Sequence, residues 1–379
     1  MRVLTPLALL LLSALASAQT FIVDVNNGPG TNFTSIATAA TVVPDGSVLI
    51  VRVGHYASFA VTGKSLTVLG ETGGIYGPFA TFGEFLTASI TISGLAANQR
   101  VVVHGLRWGM GYIAALGTVT CLNCQGSIFL DEIREATGGS FSLEVQQCRQ
   151  VQVTNCEFVG GSGSPYGARI VASDVMLVDS RFLGGYANPG LQQVGGRVQA
   201  VGSALEGGMG YGPGVLMQGG DLRILRSGAV AGGHAFGLGL AIAGSGSVRV
   251  DPGALLSGQA PLFAPGVVVT SVAMPDVRAA GGQLGFPATC TMNGPSGALG
   301  VLLLGIPDAP LFVPGWTDPL WVTGGFVMAF GVLGSPLGAS VAVPNIPALA
   351  GQCFGWQGLS IDAAFAFQVS NAAWFVLRA

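Results

Sequence analysis

Five segments of this chain align without gaps: VQVTNCEFVGG from Val151, VMLVDSRFLGG from Val175, VQAVGSALEGG from Val198, LRILRSGAVAG from Leu222 and VRVDPGALLSG from Val248. Their starts lie 24, 23, 24 and 26 residues apart. Positions 1 and 3 are always apolar, while position 2 is Gln152, Met176, Gln199, Arg223 or Arg249, so the alternation gives each strand an inner and an outer face. Position 8 turns inward again at Phe158, Phe182, Leu205, Ala229 and Leu255, and position 11 is glycine in all five. A period of this length with short strands predicts a parallel β-helix, each coil stacking on the last at about 4.8 Å. No coil buries its apolar face alone; only stacking does so. Leucine-rich repeats would need a Leu-Asn consensus and propellers about 40 residues per blade, and neither fits.

The register extends backwards through VVVHGLRWGMG from Val101, with Trp108 inward, and through VTCLNCQG from Val119. Weaker coils around Ile90, Leu66 and Val48 bring the expectation to eight or nine. On this alignment the coil from Val119 to Val151 spans 32 residues, about eight more than its neighbours, and its surplus holds Asp131, Glu132, Arg134 and Glu135. Bulges on a rigid scaffold are where binding and catalysis concentrate. Cys124 and Cys156 take position 6 of successive coils, ahead of Ser180, Ser203 and Ser227. That placement allows either a disulfide or a stack of small inert residues. Glu157 and Arg181 are expected to pair across coils, and Asp179 to occupy a turn that tolerates Asn, Asp or Gly.

Composition narrows the classes. With 61 glycines the chain cannot be a helical bundle, and with 50% hydrophobic residues it is too apolar to be disordered. Only 9% of residues are charged and the net charge is −3, so no basic surface for nucleic acid or an anionic membrane is expected. Residues 1–18 read as a signal peptide: Arg2, an apolar run from Leu7, then Ala16-Ser17-Ala18, with cleavage before Gln19. That stretch is too short to span a bilayer, and the uncharged stretch between 318 and 362 is broken by Gly324, Gly325, Gly331, Gly334 and Pro336. The expected location is outside the cytoplasm: secreted, periplasmic or at the cell surface.

The opening of the mature chain carries Thr34-Ser35-Ile36, Pro44-Asp45-Gly46, Gly54-His55-Tyr56 and a run from Lys64 to Glu71. In this order the motifs resemble the first coils of the pectin-lyase-like right-handed parallel β-helix superfamily. The resemblance covers about residues 21–275 and implies a short helix, around 32–42, closing the hydrophobic stack. Lyases, hydrolases, esterases, epimerases and non-catalytic surface proteins share that fold, so the resemblance implies architecture rather than activity.

Charge nearly vanishes after residue 284: 285–379 holds only Asp308, Asp318, Asp362 and Arg378. The 24-residue pattern stops as well, and about seven apolar runs separated by Gly/Pro turns predict a β-sandwich. The expected organisation is a signal peptide over 1–18, a right-handed parallel β-helix over 19–275 and a small apolar β-sandwich over 276–379. Gly282-Gln283-Leu284, the run 297–304, the turn 310–315, the phrase 344–351 and Val369-Ser370-Asn371 resemble a C-terminal module of exported bacterial proteins. Cys290 and Cys353 are the only cysteines there and form a candidate disulfide pair. Trp321, Trp356 and Trp374 are expected in the core, and Trp316, after Pro314-Gly315, is the candidate for stacking on a sugar ring.

Carbohydrate-active β-helices need two carboxylates at a set gap, or a base with a neutralising cation. The candidates are Asp131, Glu132 and Glu135, with Arg134, His104 and Arg107. No aspartate cluster suits calcium, no metal or other cofactor is expected, and no paired-Asp motif is present. The all-β chain therefore reads as an exported, non-catalytic surface or matrix protein with a rigid rod and an attachment module. The alternative is a lyase-type or hydrolase-type enzyme, or a binder, acting on polysaccharide. Expected partners are polysaccharide or other surface proteins.

Overall fold

A computed structural model describes residues 19–71, 85–86, 89–108, 116–135, 140–161, 165–233, 239–314, 316 and 318–378. The expected signal peptide lies outside the described residues, as do the side chains of Arg107, Trp108 and Glu135. The protein is all-β. A parallel β-solenoid of about nine turns comes first, followed by antiparallel sheets.

The solenoid has three faces. The first runs through Ser47–Val51, Leu66–Gly70, Arg100–His104, Ser127–Asp131, Gln150–Thr154, Asp174–Val178 and Arg197–Val201, each strand parallel to the next. The second face stacks Phe59–Thr62, Ser89–Ser93, Leu116–Leu122, Ser140–Gln146, Ala168–Val171 and Leu191–Val194. Glu157–Val159, Arg181–Leu183, Ala204–Glu206, Ala229–Ala231 and Leu255–Ser257 form the third. Inward residues of all three faces make one core, and Phe158 stacks on Phe182 with ring centroids 5.5 Å apart. The glycines at position 11 have a steric reason: a Cβ on Gly208 would overlap the carbonyl oxygen of Gly185 in the preceding coil.

The motifs that suggested kinship build the solenoid's first end. Helix Ile36–Val42 is capped by Ser35, whose hydroxyl accepts from the Thr38 amide, and it buries Ile36, Ala39 and Ala40 in the core. Lys64, the one lysine, donates to the Thr41 and Val43 carbonyls at the helix C-terminus. Asp45 accepts from the Ser65 amide, and the Tyr56 hydroxyl donates to the Arg52 carbonyl.

Two register expectations are corrected. Val119 stacks on Ile90 and Leu143, on the second face, whereas Val151 stacks on Ile128 and Val175, on the first. The 32-residue coil was therefore a mismatch of faces, and Asp131–Glu135 is no insertion: it continues the strand Ser127–Asp131. The confusion has a physical source. Each coil makes two similar bends, VTCLNC and VQVTNC, and both pass through a left-handed residue before a small inward one, at Asn123 (φ 52) and Asn155 (φ 51). Near the last coils the third face shifts by one: Val230 and Leu256, not Ala229 and Leu255, continue the inward column of Leu205. Leu255 is exposed.

The antiparallel part has a sheet of Asp276–Ala280, Pro287–Asn293 and Leu337–Ala342, and a second of Leu320–Val332, Leu299–Leu311, Cys353–Ile361 and Phe367–Val376. Residues from both, including Val277, Met292, Leu302, Phe354 and Trp356, share one core. The outer side of the four-stranded sheet packs on the solenoid. There Trp321, Ala372, Trp374 and Val376 meet the outward residues Val102, Phe129 and Met176 of the first face.

Candidate functional site

Outward positions of the first face bring part of the sequence-derived set together. His104 and Asp131 are directly paired across neighbouring coils, and His104 Nδ1 lies 2.9 Å from Asp131 Oδ2. Both are buried, His104 at 1% exposure. Asn155, one coil further, approaches Asp131 Oδ1 with its amide at 3.4 Å. Glu132 follows in the bend, held at φ 53 where its column otherwise carries Gly105, Asn155, Asp179 and Gly202, all at positive φ. Its Oε2 is 3.9 Å from His104 Nε2.

Arg378, from the antiparallel part, completes this cluster. Its Nη1 stands 3.3 Å from His104 Nε2 and 3.5 Å from Glu132 Oε1, and its Nη2 is 3.5 Å from the Gly281 carbonyl. A guanidinium only donates, so Nε2 of His104 is the acceptor and Nδ1–H donates to Asp131. A carboxylate orienting an imidazole, with a second carboxylate beside it, is acid–base equipment. Here, however, the free lone pair of the ring is already engaged and the ring is sealed under the neighbouring sheet.

The remaining candidates fall elsewhere. Arg134–Glu135 pairs with Arg107–Trp108 on the third-face side, and Arg134 Nε donates to the Asn155 carbonyl. Glu157 and Arg181 do pair across coils, at 3.0 Å, and Arg181 also grips Glu206 with two nitrogens. Asp179 occupies a left-handed bend at φ 46, 3.5 Å from Arg278. Trp316 is half-buried, its ring stacked on Phe367 at 5.5 Å, so one of its faces is taken. Trp321, Trp356 and Trp374 are buried.

All six cysteines are free thiols in buried positions. Cys124 and Cys156 sit at different bends and do not face each other. Cys156 has Ile133 and Ser180 as its coil neighbours: its sulfur accepts from the Ile133 amide, and its own amide donates to Ser180 Oγ. The chain of small polar side chains at this bend supplies acceptors for amides that the strand ladders leave over, continuing from Ser180 to Ser203. Cys290 lies in the core between the two antiparallel sheets and Cys353 in the contact with the solenoid, which separates that candidate pair too.

Sequence reasoning missed Arg378 and Asp318. Asp318, also from the antiparallel part, pairs with buried Arg223 and accepts from Gln199 at 3.3 Å. The signal was present: both are isolated charges in a stretch almost without them. Beside them the contact opens into a cleft of about 200 Å³ lined by Gln199, Arg223, Leu225, Arg249, Val369 and Asn371. Arg223 and Arg249 are both tied to Asp221, at 3.3 and 2.8 Å. Among the described residues no group of three or more His, Cys, Asp or Glu is placed to hold a metal ion, and no helix is long and apolar enough to cross a membrane. Compared with known proteins, the chain matches no family model and no curated protein sequence.

Proposed function

We propose that this is an exported, non-catalytic surface or extracellular-matrix protein, in which a right-handed β-helix of the pectin-lyase-like kind forms a rigid rod and the antiparallel sandwich an attachment or assembly unit. One observation carries the reading. The sheet face that presents the acid–base residues is covered by the antiparallel part, and Arg378 occupies the imidazole nitrogen that a base would need. The pattern of residues 1–18 supports export, and the low charge supports assembly with other surface proteins or with polysaccharide. Purified full-length protein, screened on neutral and acidic polysaccharides, is expected to release neither reducing ends nor unsaturated products.

A second reading has its own support, because His104, Asp131 and Glu132 do converge. If the cluster belongs to a polysaccharide lyase or hydrolase, Arg378→Ala should unmask turnover, and Asp131→Asn or Glu132→Gln should abolish it. An inactive, folded Arg378→Ala protein retires that alternative.

A further inference from the structure

The chain brings one pair of cysteines into register, and it is not a pair that the sequence pattern suggested. Leu122 and Gln146 are partners in neighbouring second-face strands, and Cys124 and Cys148 lie two residues beyond each. The backbone keeps that register through the bend: the Asn123 amide donates to the Gln146 carbonyl at 3.0 Å, and the Arg149 amide to the Cys124 carbonyl at 2.8 Å. Both side chains point into the solenoid core, at 0% and 1% exposure, and their thiols make matching bonds, Cys124 to the Leu122 carbonyl at 3.2 Å and Cys148 to the Gln146 carbonyl at 3.3 Å. Equivalent positions in stacked coils are separated by about 4.8 Å, inside the window that a disulfide bridges.

We propose that Cys124 and Cys148 close an inter-coil disulfide when the chain folds in the presence of a disulfide-class oxidant. Other cysteines lack such a mate. Cys121 stacks between Ile92 and Val145, and Cys156 between Ile133 and Ser180. Before the core closes both thiols can meet the oxidant, and one of them reacts first. Its thiolate attacks one sulfur of the oxidant's disulfide and expels a thiolate. The other cysteine, deprotonated in turn, displaces the second, so two thiols lose two protons and two electrons while one disulfide is reduced to two thiols. Because both sulfurs are buried in the finished coil, the exchange belongs to folding, before the core closes.

The natural oxidant rests on the export reading; the pairing does not, and the test separates them. Full-length protein is reduced, unfolded, and refolded in a mixture of oxidised and reduced glutathione. Remaining thiols are then alkylated in denaturant, and the protein is digested without reduction. The expected product joins the tryptic peptide carrying Cys121 and Cys124 to the one carrying Cys148. Fragmentation places the bond on Cys124, and Cys121, Cys156, Cys290 and Cys353 are alkylated. The oxidised protein should unfold at a higher temperature than after dithiothreitol. Cys148→Ser should lose that difference and Cys156→Ser keep it. Cys148→Ser is expected to fold, since Ser173 holds the corresponding place in the next coil and its Oγ accepts from the Cys148 amide. Alkylation of both Cys124 and Cys148, or linkage of Cys124 to Cys121 or Cys156, overturns the proposal. A linked product after refolding, with free thiols in protein recovered from its producing cell, would overturn export and leave the pairing standing.

Discussion

Two faces of one solenoid are built from the same kind of strand and turn different surfaces outward. On the second face the outward residues include Glu144, Gln146 and Arg169, all half-buried, with Arg169 2.8 Å from Glu144 in the neighbouring coil. On the first face the corresponding places hold Val102, Phe129, Gln152 and Met176, each at 1% exposure or less. The inward residues are mostly of one kind, Val119, Leu143 and Ala168 on one side, Ile128, Val151 and Val175 on the other, with Gln193 the exception on the second face, stacked between Ile170 and Met217. Inward positions thus specify the coil, and outward positions specify its neighbour. A solvated neighbour takes an ion pair worth about 0.2–1 kcal/mol, whereas a protein neighbour takes apolar side chains whose loss leaves a cavity.

The sharpest way to break this contrast is to truncate one outward residue on each face. Phe129 packs edge-on against Trp374, centroids 5.9 Å apart, and is fully buried. Phe129→Ala should destabilise the protein by about 3–5 kcal/mol. Arg169→Ala, on the second face, should shift stability by less than about 1 kcal/mol. Urea unfolding of the two variants beside the parent decides it, and equal losses would mean that the first face is not held by the antiparallel sheets.

A somewhat smaller effect is expected where the covered face becomes polar. Arg223 and Asp318 are both almost inaccessible and form an ion pair across the contact. Arg223→Met removes the charged partner of Asp318 and should cost about 3 kcal/mol, the low end for a broken buried pair because Gln199 still donates to Asp318 and Asp221 keeps Arg249. Adding Asp318→Leu should return most of that loss, since removing both partners takes away the uncompensated charge. A double-mutant cycle in which the second change does not recover stability would show that the pair is not coupled.

These interface residues explain what the sequence conveyed and what it did not. Period and inward pattern made the solenoid readable, because hydrophobic alternation acts within a single strand and its neighbours. Which bend stacks on which was not readable from VTCLNC and VQVTNC, since two bends of similar chemistry occur in every coil. The docking of the second unit lies between residues far apart in the chain, as with His104 and Arg378, and no local rule links them. Even so, apolar residues at outward positions, Val102, Phe129 and Met176, already marked the first face as covered. The acid–base set was assembled from a mistaken insertion, yet His104 and Asp131 meet because the true register makes them direct neighbours.

The bends themselves are common to both faces, and they offer a gain instead of a loss. Ala172 is exposed at φ 45 in the second bend, in a column with Asn123, Gln147 and Gly195 at φ 52, 52 and 66. A left-handed backbone costs an L residue with a Cβ about 1–2 kcal/mol, and glycine gives back part of that through its freer unfolded chain. Ala172→Gly should therefore stabilise the protein by about 0.5–1 kcal/mol, read as a raised thermal midpoint. A destabilised variant would place this bend outside the left-handed column.

The smallest expected effects distinguish the solenoid's first coil from its junction with the antiparallel sheets, and they differ in sign. Asp24 accepts from the amides of Asn26 and Gly28 and lies 3.2 Å from Arg52 Nη1. The Asn26 amide is the largest of the influences that hold its carboxyl below the usual 3.8. The stability it contributes is present above that value and is lost as pH falls through the lower folded value. Asp276 is raised, chiefly by burial, although Asn293 donates to it at 3.2 Å. Its neutral form is favoured in the folded chain, so its contribution is present below 3.8 and is lost as pH rises through the raised value. Acid titration followed by amide exchange should loosen the first coil before the junction. Asp24→Asn should flatten the first response and Asp276→Asn the second, and a first coil whose acid response is the same in the parent and in Asp24→Asn would remove the role given to Asp24.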